Sequence, residues 1–163
     1  MPVLIFENPL EESDSSTDNV SYELKKPEVS AKSFLAADLE NNFIFAESEP
    51  GEKRSIASLT KLMTALIAVE YINVEREVTI DSSMVVKTSI PRLQAGESFS
   101  DLDILSPLLM ESSNEAARAV AAPLGESWFI SLMNKKAEAI GMKESSFADT
   151  SGVLSSNLST AQD

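Results

Sequence analysis

The sequence predicts an α+β fold in which an N-terminal β-hairpin is followed by a group of helices. Three observations support this prediction: two short apolar runs at residues 33–47 flank a polar turn, one long apolar run covers residues 56–72, and three helix-like segments follow between residues 100 and 140. The chain has 163 residues, and 43% of them are hydrophobic. This is enough for one domain with a hydrophobic core.

Composition excludes several classes of function. Lys and Arg number 13 and Asp and Glu number 26, which gives a net charge of −13. This acidity argues against nucleic acid and anionic membrane surfaces as partners, because both attract Lys and Arg. The chain has no Cys and no His, so it forms no disulfide and holds no Cys-ligated metal.

The first 28 residues are acidic and rich in Ser and Pro, which predicts a flexible N-terminal tail before a domain at residues 29–163. The apolar stretch at residues 2–6 is too short for the hydrophobic region of a signal peptide and lacks a basic flank, so no signal peptide is visible. No stretch reaches the roughly 20 apolar residues of a membrane span.

The hairpin is predicted from two apolar runs, residues 33–39 and 43–47, on either side of residues 40–42. Asn41 and Asn42 favour the turn because Asn tolerates a positive φ. The next segment, residues 56–72, is apolar almost all round, which predicts a helix buried on every side. Ser55 is its predicted N-cap, so Ser58 falls in the first turn.

Irregular structure is predicted for residues 82–97, and three more helices follow. Ser100 is expected to cap a helix at residues 101–110 that Pro107 kinks. A short helix is predicted at residues 115–122. Ser127 should cap a last helix that ends at Ile140 with Gly141 after it, and residues 147–163 should form a loop.

Ser58 and Lys61 are the candidate nucleophile and base. Without His and Cys the chain can build neither a Ser-His-Asp triad nor a thiolate nucleophile. Residues three apart share a helix face, so the Lys61 amine can reach the Ser58 hydroxyl. Burial lowers the pKa of a lysine and leaves neutral amine to accept a proton. A helix start also offers backbone N–H groups to an oxyanion.

A second candidate element is Ser112-Ser113-Asn114, which would hold a hydroxyl and an amide on a tight connection between two helices. The pattern S-x-N occurs again at residues 155–157, and serine is abundant, so either copy alone fits a helix cap or a solvated loop. The order of the two motifs, S-x-x-K before S-x-N, matches a known signature of serine enzymes that also contains K-T-G.

Four separate blocks extend this match. Residues 56–65 read IASLTKLMTA, residues 108–117 read LLMESSNEAA, and residues 132–137 and 159–163 read LMNKKA and STAQD. In this order the blocks resemble the low-molecular-mass penicillin-binding proteins, the serine D-alanyl-D-alanine carboxypeptidases, over about residues 30–163. The resemblance implies a β-lactamase/DD-peptidase-like transpeptidase fold, here its helical part and an N-terminal hairpin with an incomplete central sheet.

The resemblance also implies a role for each matching residue. Ser58 resembles the acylated nucleophile and Lys61 its general base. Ser112 resembles the serine that relays protons to the leaving group, and Asn114 resembles the residue whose amide holds the acyl-side carbonyl. The implied reaction is attack on a peptidoglycan stem peptide ending in D-Ala-D-Ala, release of D-Ala and hydrolysis of the acyl-enzyme. β-Lactams are the implied acylating inhibitors, no cofactor is implied, and the implied location is extracytoplasmic, where the substrate lies.

The sequence departs from the family pattern in several places. Ser113 and Glu115 stand where the family usually has Gly and Asp, and Pro107 is unusual in the preceding helix. No K-T-G is present, and the nearest string, residues 87–89, precedes the second motif. In the family, K-T-G lies on a strand of the central sheet. That strand supplies a cation for the substrate carboxylate and one N–H donor for the oxyanion, and losing one such donor lowers the rate roughly 10²–10³-fold.

We therefore expect a further C-terminal segment or a partner chain to complete the sheet. Two alternatives to the carboxypeptidase stay open. One is a peptidoglycan DD-endopeptidase that cleaves cross-links. The other is a non-catalytic wall-binding or interaction module of the same fold.

Overall fold

The structure is a computed structural model that describes residues 29–71, 77–85, 93–100 and 102–163. These residues belong to two compact units, one ending at Glu49 and one running from Pro50 to Asp163. The predicted tail at residues 1–28 lies outside the described residues, so the predicted domain boundary near residue 29 remains a prediction.

The first unit contains the predicted hairpin. Strand β1 (Phe34–Asp38) pairs antiparallel with β2 (Phe43–Ser48), with an irregularity in the register between Ala36 and Ala37. The Asp38 carboxylate accepts hydrogen bonds from the backbone N–H groups of Glu40 (2.9 Å) and Asn41 (3.2 Å), which closes the turn. Asn42 has a φ of 51°. The predicted hairpin and its positive-φ Asn are confirmed.

In the second unit, the described residues form four α-helices and two short antiparallel strand pairs. The helices are α1 (Thr60–Tyr71), α2 (Leu105–Met110), α3 (Asn114–Ala121) and α4 (Glu126–Ala139). Strand β3 (Arg54–Ser55) pairs with β6 (Leu158–Ser159), and β4 (Glu77–Thr79) pairs with β5 (Ser98–Ser100). The described strands therefore form three separate two-stranded sheets.

The hydrophobic core of this unit lies where α1 packs against the other three helices. Its largest fully buried apolar side chains are Ile67, Ile80, Ile104, Leu108, Val120, Phe129 and Met133. The Lys136 ammonium on α4 also pairs with the Glu70 carboxylate on α1. Burial of this apolar surface, at about 25 cal/mol per Å², holds α1, the helix that carries the candidate base Lys61.

The prediction for the long apolar run needs two corrections. First, Ser55 is not an N-cap but lies in β3 opposite Leu158, and a 3₁₀ turn at Ala57–Leu59 precedes α1, so Ser58 lies in that turn. Second, the helix is not buried on every side, because Leu62 and Val69 are more than half exposed. An apolar pattern shows which residues favour burial but not which neighbours cover them.

The other helices also start differently from the prediction. Ser100 lies in β5, and α2 begins only at Leu105, so Pro107 falls in its first turn, where a missing N–H breaks no helical hydrogen bond. Gly125, with a φ of 82°, precedes α4, and Ser127 lies inside that helix. The predicted end of α4 is confirmed, since Ile140 is its C-cap and Gly141 follows with a φ of 91°.

The irregular segment predicted between residues 82 and 97 contains no strand in its described part. The β4–β5 pair that flanks it was not predicted. Three features named in the sequence analysis lie outside the described residues: the end of the long apolar run at residue 72, the string at residues 87–89 and the predicted helix start at residue 101. Of the helices that the structure describes, none has the length and apolar character needed to cross a membrane.

Candidate active site

Ser58 and Lys61 meet at the start of α1. The 3₁₀ turn places Ser58 one turn before Lys61, because the Leu59 N–H donates to the Ile56 carbonyl (3.1 Å) and Thr60 begins the helix proper. The distance from Lys61 Nζ to Ser58 Oγ is 3.2 Å. Ser58 itself is exposed. The pair therefore has the proximity that proton transfer from a nucleophilic serine requires.

The Lys61 ammonium has three partners inside the protein. Besides Ser58 Oγ, its Nζ donates to Asn114 Oδ1 (2.9 Å) and to the Ser151 carbonyl oxygen (2.7 Å). These three acceptors use the three N–H bonds of an ammonium, and only 2% of the Lys61 surface is exposed. The amine is thus fixed in position and cannot swing into solvent.

The electrostatic environment of Lys61 favours loss of its proton. Burial lowers the pKa of Lys61 below its ordinary value of 10.5, although the carboxylates of Asp149 and Glu115 act in the opposite direction. A lowered pKa means that more of the amine is neutral at a given pH. Lys61 is therefore suited to accept the proton of Ser58.

The second predicted element lies on the connection between α2 and α3. Ser113 is buried and caps α3, because its Oγ accepts a hydrogen bond from the Ala116 N–H (3.0 Å). This cap makes Asn114 the first residue of α3 and leaves Ser112 exposed just before it. Ser113, which differs from the expected glycine at this position, is thus the N-cap of α3.

A cleft of about 400 Å³ joins the two motifs. Ser58, Lys61 and Ser112 line it together, and its remaining wall is apolar, formed by Ile56, Leu59, Leu62, Leu108 and Leu109. The structure thus brings together all four residues predicted from the sequence: three line the cleft, and Asn114 is hydrogen-bonded to Lys61. An apolar wall with a few convergent polar groups is typical of a small-ligand site.

Backbone strain occurs on both sides of this cleft. Ala57, directly before Ser58, has a φ of 46°, and Ser112 has a φ of 56°. Residues other than glycine seldom adopt the left-handed region, and each such residue costs roughly 1–3 kcal/mol unless the surroundings hold it. Strain of this kind is common where a reactive side chain must be held at a fixed angle.

The sequence predicted a loop over residues 147–163 but did not show that residues 149–154, hereafter the 149–154 loop, contact the candidate site. Its Ser151 carbonyl contacts Lys61, and its Thr150 carbonyl accepts a hydrogen bond from Thr64 Oγ1 on α1 (2.6 Å). The signal for it was the string Asp149-Thr150-Ser151-Gly152, since an Asp two or three residues before a positive-φ Gly is typical of a turn capped by its own carboxylate.

The structure also separates the two S-x-N strings. Asn157 is fully buried, accepts a hydrogen bond from the Ala148 N–H (3.0 Å) and donates one to the Leu154 carbonyl (2.8 Å). Its side chain therefore holds the protein backbone, whereas Asn114 contacts Lys61. Within the described ranges, no group of three or more Asp and Glu side chains is arranged to hold a metal ion.

Comparisons with known proteins show the family of this chain. A family model described as D-alanyl-D-alanine carboxypeptidase matches residues 20–163. A D-alanyl-D-alanine endopeptidase from Escherichia coli is 33% identical over 143 residues, which is 85% of this chain and 46% of that protein. This chain therefore spans about half the length of the curated relative.

Solved structures give the same fold. A D-alanyl-D-alanine carboxypeptidase from Mycobacterium tuberculosis matches with a TM-score of 0.77 at 25% identity, covering 87% of this chain and 56% of that one. A penicillin-binding protein from Listeria monocytogenes, solved in an ampicillin-bound form, matches with a TM-score of 0.73 at 25% identity, covering 85% and 59%. The predicted DD-peptidase-like fold is confirmed.

Proposed function

Because the chain belongs to the D-alanyl-D-alanine carboxypeptidase family, we propose that it carries the nucleophile and base of a serine DD-peptidase acting on peptidoglycan stem peptides. One observation carries the proposal: Lys61 Nζ lies within hydrogen-bond distance of both Ser58 Oγ (3.2 Å) and Asn114 Oδ1 (2.9 Å). That bridge joins residues from two separate sequence motifs in one cleft.

Acylation uses Lys61 as the base. The neutral amine takes the proton of Ser58 Oγ while that oxygen forms a bond to the carbonyl carbon of the penultimate D-Ala. The C–N bond to the terminal D-Ala then breaks. Ser112 Oγ gives its proton to the leaving amine and takes the proton that Lys61 accepted, so Lys61 is neutral again when the acyl-enzyme has formed. General base catalysis of this kind contributes about 10²–10⁴ in rate. In the second half of the reaction, Lys61 takes a proton from the water that attacks the ester and returns it to Ser58 Oγ as the acyl group leaves.

Asn114 orients both the base and the substrate in this scheme. Its Oδ1 accepts a hydrogen bond from Lys61, which leaves its side-chain NH₂ to donate to the carbonyl on the acyl side of the scissile bond. One amide would thereby fix the distance between the base and the bond that breaks. Such positioning accounts for a large share of the rate in many enzymes.

A DD-endopeptidase is the second candidate, favoured because the D-alanyl-D-alanine endopeptidase from Escherichia coli is 33% identical to this chain. Both reactions acylate the same serine with the same D-Ala carbonyl. They differ only in the leaving amine, which is free D-Ala in the carboxypeptidase and the side-chain amine of a neighbouring stem peptide in the endopeptidase. Both substrates lie outside the cytoplasmic membrane, so we infer an extracytoplasmic location in either case.

Covalent labelling tests the shared chemistry. β-Lactams mimic the acyl-D-Ala-D-Ala bond, so purified protein incubated with a penicillin should gain the mass of one penicillin molecule. The adduct should be absent from Ser58→Ala and present in Ser155→Ala, which removes an exposed serine of the other S-x-N string. A folded parent protein without any adduct would contradict the proposal and favour the non-catalytic binding module.

A second assay separates the two substrates. Release of D-Ala from a soluble pentapeptide would identify the carboxypeptidase. Conversion of cross-linked muropeptide dimers to monomers, without release of D-Ala, would identify the endopeptidase. Ser58→Ala should abolish either activity.

A further inference from the structure

The 149–154 loop contacts three parts of the active site from a distant part of the sequence. The Ser151 carbonyl accepts a hydrogen bond from Lys61 Nζ (2.7 Å), and the Thr150 carbonyl accepts one from Thr64 Oγ1 (2.6 Å). Gly152 packs so closely on the Ala57 carbonyl that a Cβ at this position would overlap it. The loop thus touches the base, the helix that carries it and the residue before the nucleophile.

The shape of this loop depends on the Asp149 carboxylate. Its Oδ1 accepts hydrogen bonds from the Ser151 N–H (2.6 Å), the Ser151 hydroxyl (3.1 Å) and the Gly152 N–H. Its Oδ2 accepts from the Leu154 N–H (2.6 Å) and the Asn157 side-chain amide (3.2 Å). Only 8% of Asp149 is exposed. One buried carboxylate therefore binds most of the N–H groups in the turn that presents the Ser151 carbonyl.

Asp149 also acts on Lys61 through its charge. Burial alone would raise the pKa of Asp149, but the hydrogen bonds from Leu154, Gly152 and Ser151 outweigh it, so the carboxyl stays ionised. The resulting negative charge works against the lowering of the Lys61 pKa by burial. Glu115 is the other carboxylate that acts on Lys61 in this way.

We propose that Asp149 is a positioning residue for the nucleophile and base. Its carboxylate holds the 149–154 loop in the one conformation that presents the Ser151 carbonyl to Lys61 and seats Gly152 against Ala57. This inference rests on the proposed function, since it assigns a role within the same site. Asp149 itself touches no reacting atom, and it works entirely through the loop and through its charge.

The test compares Asp149→Asn with the parent and with Asp163→Asn. Asp163 is a matched control because its carboxylate also accepts hydrogen bonds from a backbone N–H (Glu144, 3.0 Å) and a hydroxyl (Ser145, 2.8 Å). It follows β6 in the chain, whereas Asp149 precedes it. The measurement is the rate constant of acylation by a fluorescent penicillin as a function of pH, with melting followed by circular dichroism.

Asp149→Asn should lower the acylation rate constant roughly 10- to 100-fold, as small misplacements of catalytic groups do. It should also move the midpoint of the pH profile to lower pH, because the charge that opposes the lowered pKa of Lys61 is gone. Asp163→Asn should leave both unchanged. A folded Asp149→Asn protein with the parental rate constant and midpoint would overturn the proposal.

Two further measurements keep the inference testable. If Asp149→Asn does not fold, Ser151→Ala removes only one of the contacts to Asp149 and should lower the acylation rate constant a few-fold. No change would overturn the proposal.

If the parent is not acylated at all, the proposed function fails. The inference is then decided by an NMR titration of the Lys61 Cε signal in the parent and in Asp149→Asn. A lower titration midpoint in the variant supports it, and equal midpoints overturn it.

Discussion

Gly152→Ala tests the contact between the 149–154 loop and the nucleophile turn. Gly152 has a φ of 82°, a region that L-residues avoid at a cost of about 1–2 kcal/mol. A Cβ at this position would also collide with the Ala57 carbonyl, and it would lie 3.0 Å from Thr60 Oγ1. Because the carbonyl belongs to the backbone, it cannot rotate away. Overpacking of this kind costs about 1–3 kcal/mol more.

The expected loss in the free energy of unfolding is therefore about 2–5 kcal/mol. Gly141→Ala is the matched control, because Gly141 also has a positive φ (91°), directly after the C-cap of α4, but no atom within 4 Å of an added Cβ. It should lose only the backbone part, about 1–2 kcal/mol. The difference between the two variants isolates the steric contact.

Urea unfolding followed by circular dichroism measures both variants under the same conditions. The rate of acylation by penicillin, measured on the folded fraction, should fall in Gly152→Ala and stay near the parental value in Gly141→Ala. Equal losses of stability in the two variants, with acylation intact in both, would refute the claim that the 149–154 loop supports the nucleophile turn.

Three more predictions follow from the site. Lys61→Arg should abolish acylation at every pH with the fold retained, because a guanidinium stays protonated and cannot act as a base; intact-mass analysis with penicillin checks this. Ser113→Ala should lower the free energy of unfolding by about 1–2 kcal/mol, since it removes the cap of α3 and the hydrogen bond to Glu115 (2.9 Å); chemical denaturation measures it, and an unchanged midpoint would contradict the cap. The ionised Asp149 carboxylate should stabilise the fold fully above its ordinary pKa of 3.8 and progressively less as pH falls towards its lower folded pKa. Between about pH 5 and pH 2, the urea concentration at the unfolding midpoint should therefore fall less steeply with pH in Asp149→Asn than in the parent.

Local sequence patterns predicted the elements whose shape depends on near neighbours. The β1–β2 hairpin follows from two apolar runs around residues that tolerate a positive φ, and Asn42 adopts one. Helix α3 and the end of α4 at Gly141 follow from helix periodicity and its stop signals. The contact between Ser58 and Lys61 follows from their spacing of three residues.

Contacts between distant segments explain what the sequence reasoning missed. Ser55 looked like a helix cap, but it pairs with Leu158, about a hundred residues later in the chain. The partners of Lys61 include the Ser151 carbonyl, a backbone atom of a residue 90 positions away, and no side-chain pattern marks such an acceptor. Only the folded chain shows that Asp149 holds the loop that contacts the base.

If Lys61 takes the proton of Ser58, the rate of acylation and the titration of Lys61 must depend on pH in the same way. The rate constant for acylation by penicillin and the NMR signal of Lys61 Cε are followed over the same range of pH in the parent protein, with the signal assigned from Lys61→Arg. The acylation rate constant should rise with pH, with a midpoint that equals the titration midpoint of Lys61 and lies below 10.5. An acylation rate that does not follow the titration of Lys61 would contradict it.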